Sequence, residues 1–402
     1  MKRFLAVSCA LLILGAGLWF FREDLLDLAR NTGLPTLFET RSAESPTLSV
    51  PSDPPIDGTA VPPAEEFFYA RLNERQKQAY DQILAELFSF PEKIRTVKIE
   101  EDDFDRIHHA LMYDHPELFF VSSAAVMEFR AFACWYKPEY ACLQEEYPAM
   151  LSAIETEKQA ILSAVPADAD DYQKEKIVHD MLIASCAYGE SGHDSDIYGA
   201  LVERRAVCSG YARAAKYLLD ALGIRSYLVS GDAVSGGIRE SHMWNTVYIA
   251  GKPYYLDVTW DDADAGSGAA GYTYFNVTQE GVALSHFPTD PADSGCVYRE
   301  QNYFVREGRF FTGWDDDARD VFENRLVETV RDGGVSCDVA FDGAALMDEA
   351  LADLIDGQRI YRLLRSAARR TDTDLKTNFV NYSVDHELNV LHIDLAENYG
   401  EN

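Results

Sequence analysis

Three side chains in this sequence have the types and surroundings to build a nucleophile: Cys208, His242 and Asp257. Cys208 stands in R-R-A-V-C-S-G-Y-A (204–212). From there Tyr211, Ala212, Ala215, Leu218, Leu219 and Leu222 keep helical spacing until Gly223 supplies a C-terminal cap. The cysteine is therefore predicted at a helix N-terminus. Unpaired N–H groups and the positive end of the helix dipole favour thiolate over thiol there, which suits a nucleophile. An inert core cysteine is the competing reading of that position taken alone.

Two β-rich runs, S-H-M-W-N-T-V-Y-I (241–249) and K-P-Y-Y-L-D-V-T-W (252–260), flank Ala250-Gly251, a two-residue hairpin signal. Pairing of 249 with 252 sets Asp257 opposite Trp244 and His242 opposite Thr259, so His242 and Asp257 share a face. They become diagonal neighbours with Cα atoms about 7–8 Å apart, close enough for a carboxylate to reach an imidazole N–H. A one-residue change in turn length would send them to opposite faces. The three groups together describe a thiol relay. Cys208 attacks an acyl carbon, His242 takes its proton and later protonates the leaving amine, and Asp257 orients the ring and stabilises the imidazolium. The Cys208 backbone N–H is one candidate oxyanion donor. Tyr198, Trp244 and Asn245 are candidates for a second, each with packing as the alternative role.

The segment from about 197 to 260, with V-C-S-G-Y-A, S-H-M-W-N and Y-Y-L-D-V-T-W-D-D, resembles the transglutaminase-like superfamily of papain-related thiol enzymes. With its continuation over 272–286 the likeness spans about a quarter of the chain. It implies an α+β fold in which a Cys-bearing helix packs on an antiparallel sheet bearing His and Asp, and a triad of Cys208, His242 and Asp257. The flanks resemble bacterial membrane-tethered or secreted members. The superfamily includes crosslinkers, peptidases and relatives without activity, so three functions stay open. These are an acyltransferase that passes an acyl group from a glutamine or peptide amide to an amine, a peptidase or amidase acting on protein or cell-wall peptide, and a binding module that keeps the fold.

Around this section the chain divides by composition. Lys2 and Arg3 precede an uncharged run from Phe4 to Phe21, followed by Arg22, Glu23 and Asp24. Eighteen helical residues at about 1.5 Å each span about 27 Å, near the thickness of a hydrocarbon core. Residues 1–24 are therefore expected to be a single-pass membrane anchor with the bulk of the chain outside, or else a cleaved signal that leaves the protein secreted. Residues 25–64, broken by Pro35, Pro46, Pro51, Pro54, Pro55, Pro62 and Pro63, read as an extended tether. A helical N-terminal region follows over 65–165, with helices near 101–113 and 151–165 and a buried strand at 118–121. The catalytic domain is expected over 166–290, its first helix near 172–187. A small α+β region fills 300–402, with a hairpin at 303–311, helices at 315–332 and 347–362, and two strands within 378–394.

Composition excludes other classes. With 67 acidic against 36 basic residues, a net charge of −31, no basic patch can track phosphates, so nucleic acid is excluded as a partner. Apolar residues at 47% supply a packed core and rule out a wholly disordered chain. No metal or cofactor is expected: His108, His109, His179, His193 and His286 lack cysteine or carboxylate partners at metal-ligand spacing. Asp261, Asp262 and Asp264 fail the EF-hand pattern and read as a solvated turn. Asn276-Val277-Thr278 fits a glycosylation sequon. Seven cysteines, of which Cys9 lies in the apolar leader, leave room for a Cys134–Cys142 bridge but not for a disulfide scaffold.

Overall fold

The computed structural model describes residues 66–263, 271–290 and 295–399, all within the unit Ala43–Asn402. The expected anchor and tether lie outside the described residues, as do 264–270. Among the described residues no helix is long and apolar enough to cross a membrane.

Short helix α1 (Phe67–Ala70) leads into α2 (Glu74–Leu87). Asn73 and Gln76 close a reciprocal capping box at the start of α2, satisfying donors that would otherwise be orphaned. Beyond β1 (Ile94–Thr96), helix α3 (Glu101–Asp114) runs to the His115-Pro116 stop. The strand expected at 118–121 starts only at Val121. Pro116 opens a 3₁₀ turn, Pro116–Leu118, and the buried Leu118, Phe119 and Phe120 fill the core from a turn rather than from a ladder. Strands β2 (Val121–Phe129) and β3 (Cys134–Tyr140) then form an antiparallel sheet in the order β1-β3-β2, so the N-terminal region is helical with a small sheet. Cys134 and Cys142 are both free.

Helices α4 (Tyr147–Ser163) and α5 (Asp171–Ser185) precede a two-residue parallel pair, β4 (Ala187–Tyr188) with β5 (Arg205–Ala206). The Cys-bearing helix α6 (Cys208–Ala221) follows directly. Five antiparallel strands form the central sheet, in the order β10-β6-β7-β8-β9. They are β6 (Ser226–Ser235), β7 (Ile238–Ile249), β8 (Lys252–Leu256), β9 (Phe275–Val277) and β10 (His286–Pro288), with helix α7 (Val258–Ala263) after β8. The β7–β8 register pairs Ile249 with Lys252 and Asn245 with Leu256, as the turn predicts. One buried cluster runs from Leu72 to Phe275, so the N-terminal helices, α5, α6 and one face of the sheet share a core. The other face packs through Phe67, Tyr227, Val229, Trp244 and Tyr255.

The C-terminal part has its own core. Where a hairpin was expected over 303–311, the Asn302 side chain caps helix α8 (Tyr303–Arg306), and β11 (Phe310–Phe311) pairs in parallel with the more distant β12 (Ser336–Phe341). Helix α9 (Asp316–Arg331) matches its expected span. The single helix expected at 347–362 is instead α10 (Ala344–Leu351) and α11 (Arg359–Thr371), separated by a π turn and by Gln358 at φ 56°. Strands β13 (Asn381–Asp385) and β14 (Val390–Asp394) complete a sheet in the order β11-β12-β14-β13.

Candidate active site

Cys208 is the first residue of α6, so its N–H has no intrahelical acceptor and its side chain sits at the positive end of the helix. The loop before it is drawn in tightly. A Cβ at Gly210 would lie 2.4 Å from the Asp194 carbonyl oxygen, and the Val207 N–H donates to that same carbonyl at 3.0 Å. Glycine two residues after the cysteine is therefore a packing requirement.

His242 lies on β7, and its Nε2 meets Asp257 Oδ2 at 2.6 Å. Nδ1 is the ring nitrogen left to face the sulfur, and Cys208 is near enough to act electrostatically on the imidazole. Burial alone would push the imidazole down. The charge and hydrogen bond of Asp257, aided by Cys208, overcome this and hold His242 well above its ordinary range. Burial would raise Asp257, but His242 and then His286 hold its carboxyl well below the usual carboxylate range. The site thus favours a carboxylate facing an imidazolium.

Asp257 accepts four hydrogen bonds. Oδ1 takes the backbone N–H groups of Thr259 and Trp260 at 3.0 and 3.1 Å, opening α7. Oδ2 is shared between His242 and His286, whose Nε2 lies at 3.0 Å. Two assigned roles follow for the His286 ring: Nε2 donates to the carboxylate, and Nδ1 accepts from the Ser285 hydroxyl at 2.9 Å. His286 was read from sequence as lacking a carboxylate partner. It gains one because β10 lies beside β6 at Gly231, where a Cβ would stand 2.2 Å from the Phe287 carbonyl oxygen. Gly231 also pairs with His242. The G-D-A sequence at 231–233 was the available signal for this close approach, though nothing local linked it to residue 286.

His242, Asp257 and His286 place three donor atoms within 4.8 Å of one another. Their 2.6 and 3.0 Å N···O separations are hydrogen-bond distances, and both are shorter than the roughly 3.3 Å kept by two ligands of a tetrahedral zinc with bonds of about 2.0–2.1 Å. As arranged, the cluster shares protons. Aromatic rings wall it in: Trp260 lies 5.5 Å from His242 and 4.5 Å from His286, and Trp244 stands edge-on to His286 at 5.0 Å.

The oxyanion candidates go to different places. Trp244 is buried beside His242, its rings stacked at 5.9 Å. Asn245 points the other way, and its Nδ2 donates to the Ala212 carbonyl at 2.9 Å, so it ties β7 to α6. Tyr198 stacks on Phe119 at 6.4 Å and meets His193 edge-on at 5.1 Å, with its backbone N–H on Asp196. Tyr188, which sequence reading passed over, is 57% exposed and lies near enough to the site for its phenol to feel the charges of Cys208, Glu240, Asp257 and Asp194.

Asp261 and Asp262 do not form a solvated turn, and Asp264 lies outside the described residues. Asp261 is fully buried, bonded to His179 Nε2 at 3.1 Å and to the Tyr274 N–H at 2.8 Å, while Asp262 accepts from the Tyr211 hydroxyl. Both carboxylates brace α7 against α5 and α6. His179 has a second carboxylate, the adjacent Asp180, at 3.0 Å, and His193 has Asp196, three residues on, at 2.8 Å, so these histidines too have carboxylate partners. Asn276, the sequon residue, is fully buried with its Nδ2 on Glu175 at 2.7 Å.

The family model described as the transglutaminase-like superfamily matches residues 160–265. This stretch is a transglutaminase-like domain. It contains Cys208, His242 and Asp257, and it stops short of His286. The match supports a cysteine enzyme of this superfamily. Among solved structures, the chain is similar to a TGase at 13% identity, with 42% of this chain and 50% of that one covered and a TM-score of 0.25. It is similar to a provisionally assigned cysteine protease from Cytophaga hutchinsonii at 16% identity, covering 32% and 51%, with a TM-score of 0.24. A third, a provisionally assigned protease from Parabacteroides distasonis, shares 14% identity over 34% and 35%, with a TM-score of 0.21. The chain spans about half the length of the first two of these structures and about a third of the last. No curated protein matches the chain.

Proposed function

We propose that the protein is an extracytoplasmic thiol acyltransferase of transglutaminase-like type, acting on a protein or peptide substrate. The observation that carries this reading is His242 bonded to Asp257 at 2.6 Å, with Cys208, at a helix start, near enough to act electrostatically on its ring. The Cys208 sulfur adds to a glutamine or peptide carboxamide carbon. His242 passes the proton to the departing ammonia or amine, and a thioester remains. A primary amine then attacks the thioester, forming a new amide and restoring the thiol.

Water in place of the amine gives a carboxylate, and with it a peptidase or amidase acting on protein or cell-wall peptide. The exposure of Tyr188, whose phenol feels the charge of Cys208, favours this second reading, since an open approach admits water. The uncharged run from Phe4 to Phe21 behind Lys2 and Arg3 supports attachment to the cell membrane with the main unit outside. Incubating the full chain with glutamine peptides, with and without a primary amine, and weighing the products separates transfer from hydrolysis. Absence of both products, with Cys208→Ala indistinguishable from the native chain, would leave the binding-module reading.

A further inference from the structure

The tip of the β13–β14 hairpin brings the C-terminal part against the site. Glu387 Oε1 accepts two backbone N–H groups, from Leu284 at 2.7 Å and Ser285 at 3.0 Å. Ser285 is the residue whose hydroxyl meets His286 Nδ1, and His286 is the second imidazole on Asp257. We propose that Glu387 is a positioning residue for the catalytic carboxylate: it holds the 284–286 segment so that His286 stays on Asp257, making the C-terminal hairpin part of the active site's support. The proposal rests on the thiol-enzyme reading above and extends it outside the family-matched stretch, since both His286 and Glu387 lie beyond residue 265.

The tip is built to deliver that carboxylate. Asp385 Oδ1 accepts the N–H groups of Glu387 and Leu388 at 2.9 and 2.7 Å, fixing the turn, and Asp385 Oδ2 accepts from the Tyr274 hydroxyl at 3.3 Å. Tyr274 is itself tied to the site: its N–H donates to Asp261, its carbonyl accepts from the Asp257 N–H at 3.2 Å, and its ring lies 5.5 Å from His286. Leu388 packs into the cluster that holds Trp244, Tyr274 and Val282. One hairpin thus seats an apolar side chain and two carboxylates on the segments that carry His286 and brace Asp257. A charge-assisted pair of N–H bonds to a carboxylate is stronger than its neutral equivalent, so the glutamate fixes this loop better than a neutral acceptor would.

The chain of contacts makes a prediction that stability alone does not. If His286 leaves Oδ2, Asp257 loses a donor and its fixed direction, His242 is less well held as imidazolium, and alkylation of the Cys208 sulfur needs a higher pH. The test follows iodoacetamide modification of Cys208 in the full-length protein across pH 4–9, located by peptide mass. Glu387→Ala should slow modification at pH 6 about tenfold and move the half-maximal pH up by about one unit, the two being the same effect. Glu387→Gln, which keeps an oxygen at the same reach, should recover to within about threefold. His286→Ala should reproduce the Glu387→Ala profile, and the double variant should be no slower than His286→Ala alone, as coupled residues require. Should Glu387→Ala fail to fold, Glu387→Asp, whose shorter arm misses the two N–H groups, carries the same comparison. Superimposable native and variant profiles, or additive losses in the double variant, overturn the proposal. A native protein whose Cys208 resists modification at pH 6 overturns the thiol-enzyme reading itself.

Discussion

Asn245 donates its side-chain amide to the backbone carbonyl of Ala212, one helical turn beyond Cys208 and three residues along the strand from His242. This contact joins the element carrying the nucleophile to the element carrying the base. Removing it with Asn245→Ala is expected to cost about 1–2 kcal/mol, read as a lower denaturant midpoint. Acylation by the folded variant should fall less than tenfold. An oxyanion donor would give the reverse pattern, an unchanged midpoint with turnover down about a hundredfold or more.

Asp257→Asn should be far more damaging to chemistry. The amide keeps the shape but offers no charge to hold His242 as imidazolium, so turnover is expected to fall about a thousandfold or more. Because Asp257 raises His242, its loss also moves half-maximal alkylation of Cys208 to higher pH. A pH–rate profile that kept its native midpoint would contradict the assigned role.

Glu175 sets a pH dependence of stability. Fully buried on α5 with Oε2 on Asn276, it is raised by desolvation from 4.5 to about 8. The folded chain then keeps this proton where the unfolded chain releases it, so the contribution is complete below about pH 4.5 and is lost as pH rises toward 8. Glu175→Gln should remove that slope, of order 1 kcal/mol per pH unit at most. Urea melts of both proteins at pH 5 and pH 8 measure it. A stability difference between them that is the same at both values would refute it.

The β7–β8 turn offers a gain. Ala250 has φ 51° and Gly251 φ 77°, the left-handed pair that a two-residue hairpin of this hand needs, and alanine pays for it in strain. Ala250→Asn or Ala250→Gly should raise stability by about 0.5–1 kcal/mol with activity unchanged. A lower thermal midpoint in both variants would count against this turn geometry.

Local pattern made much of the site legible. The helix start at Cys208 followed from the spacing of Tyr211 to Leu222, and the approach of His242 to Asp257 followed from a two-residue turn that fixes register. What stayed hidden depends on contacts distant in sequence. His286 meets Asp257 only because Gly231 lets β10 lie close against β6, and His179 finds Asp261 across 82 positions. Acidic residues misled for a related reason. Asp261 and Asp262 look like solvated charge in a chain of net −31, yet each is held by a partner from another element. The 303–311 segment was misread because aromatic alternation there serves a capped helical turn and a strand whose partner, β12, lies some thirty residues on.

The single apolar cluster that reaches from Leu72 to Phe275 limits how the chain can be trimmed. A recombinant piece cut to the family-matched stretch would strip α6 of the core it shares with the N-terminal helices and the Pro116–Leu118 turn, and it would lack the edge strands β9 and β10. Such a fragment would present greasy surface to solvent and would aggregate before its chemistry could be assayed.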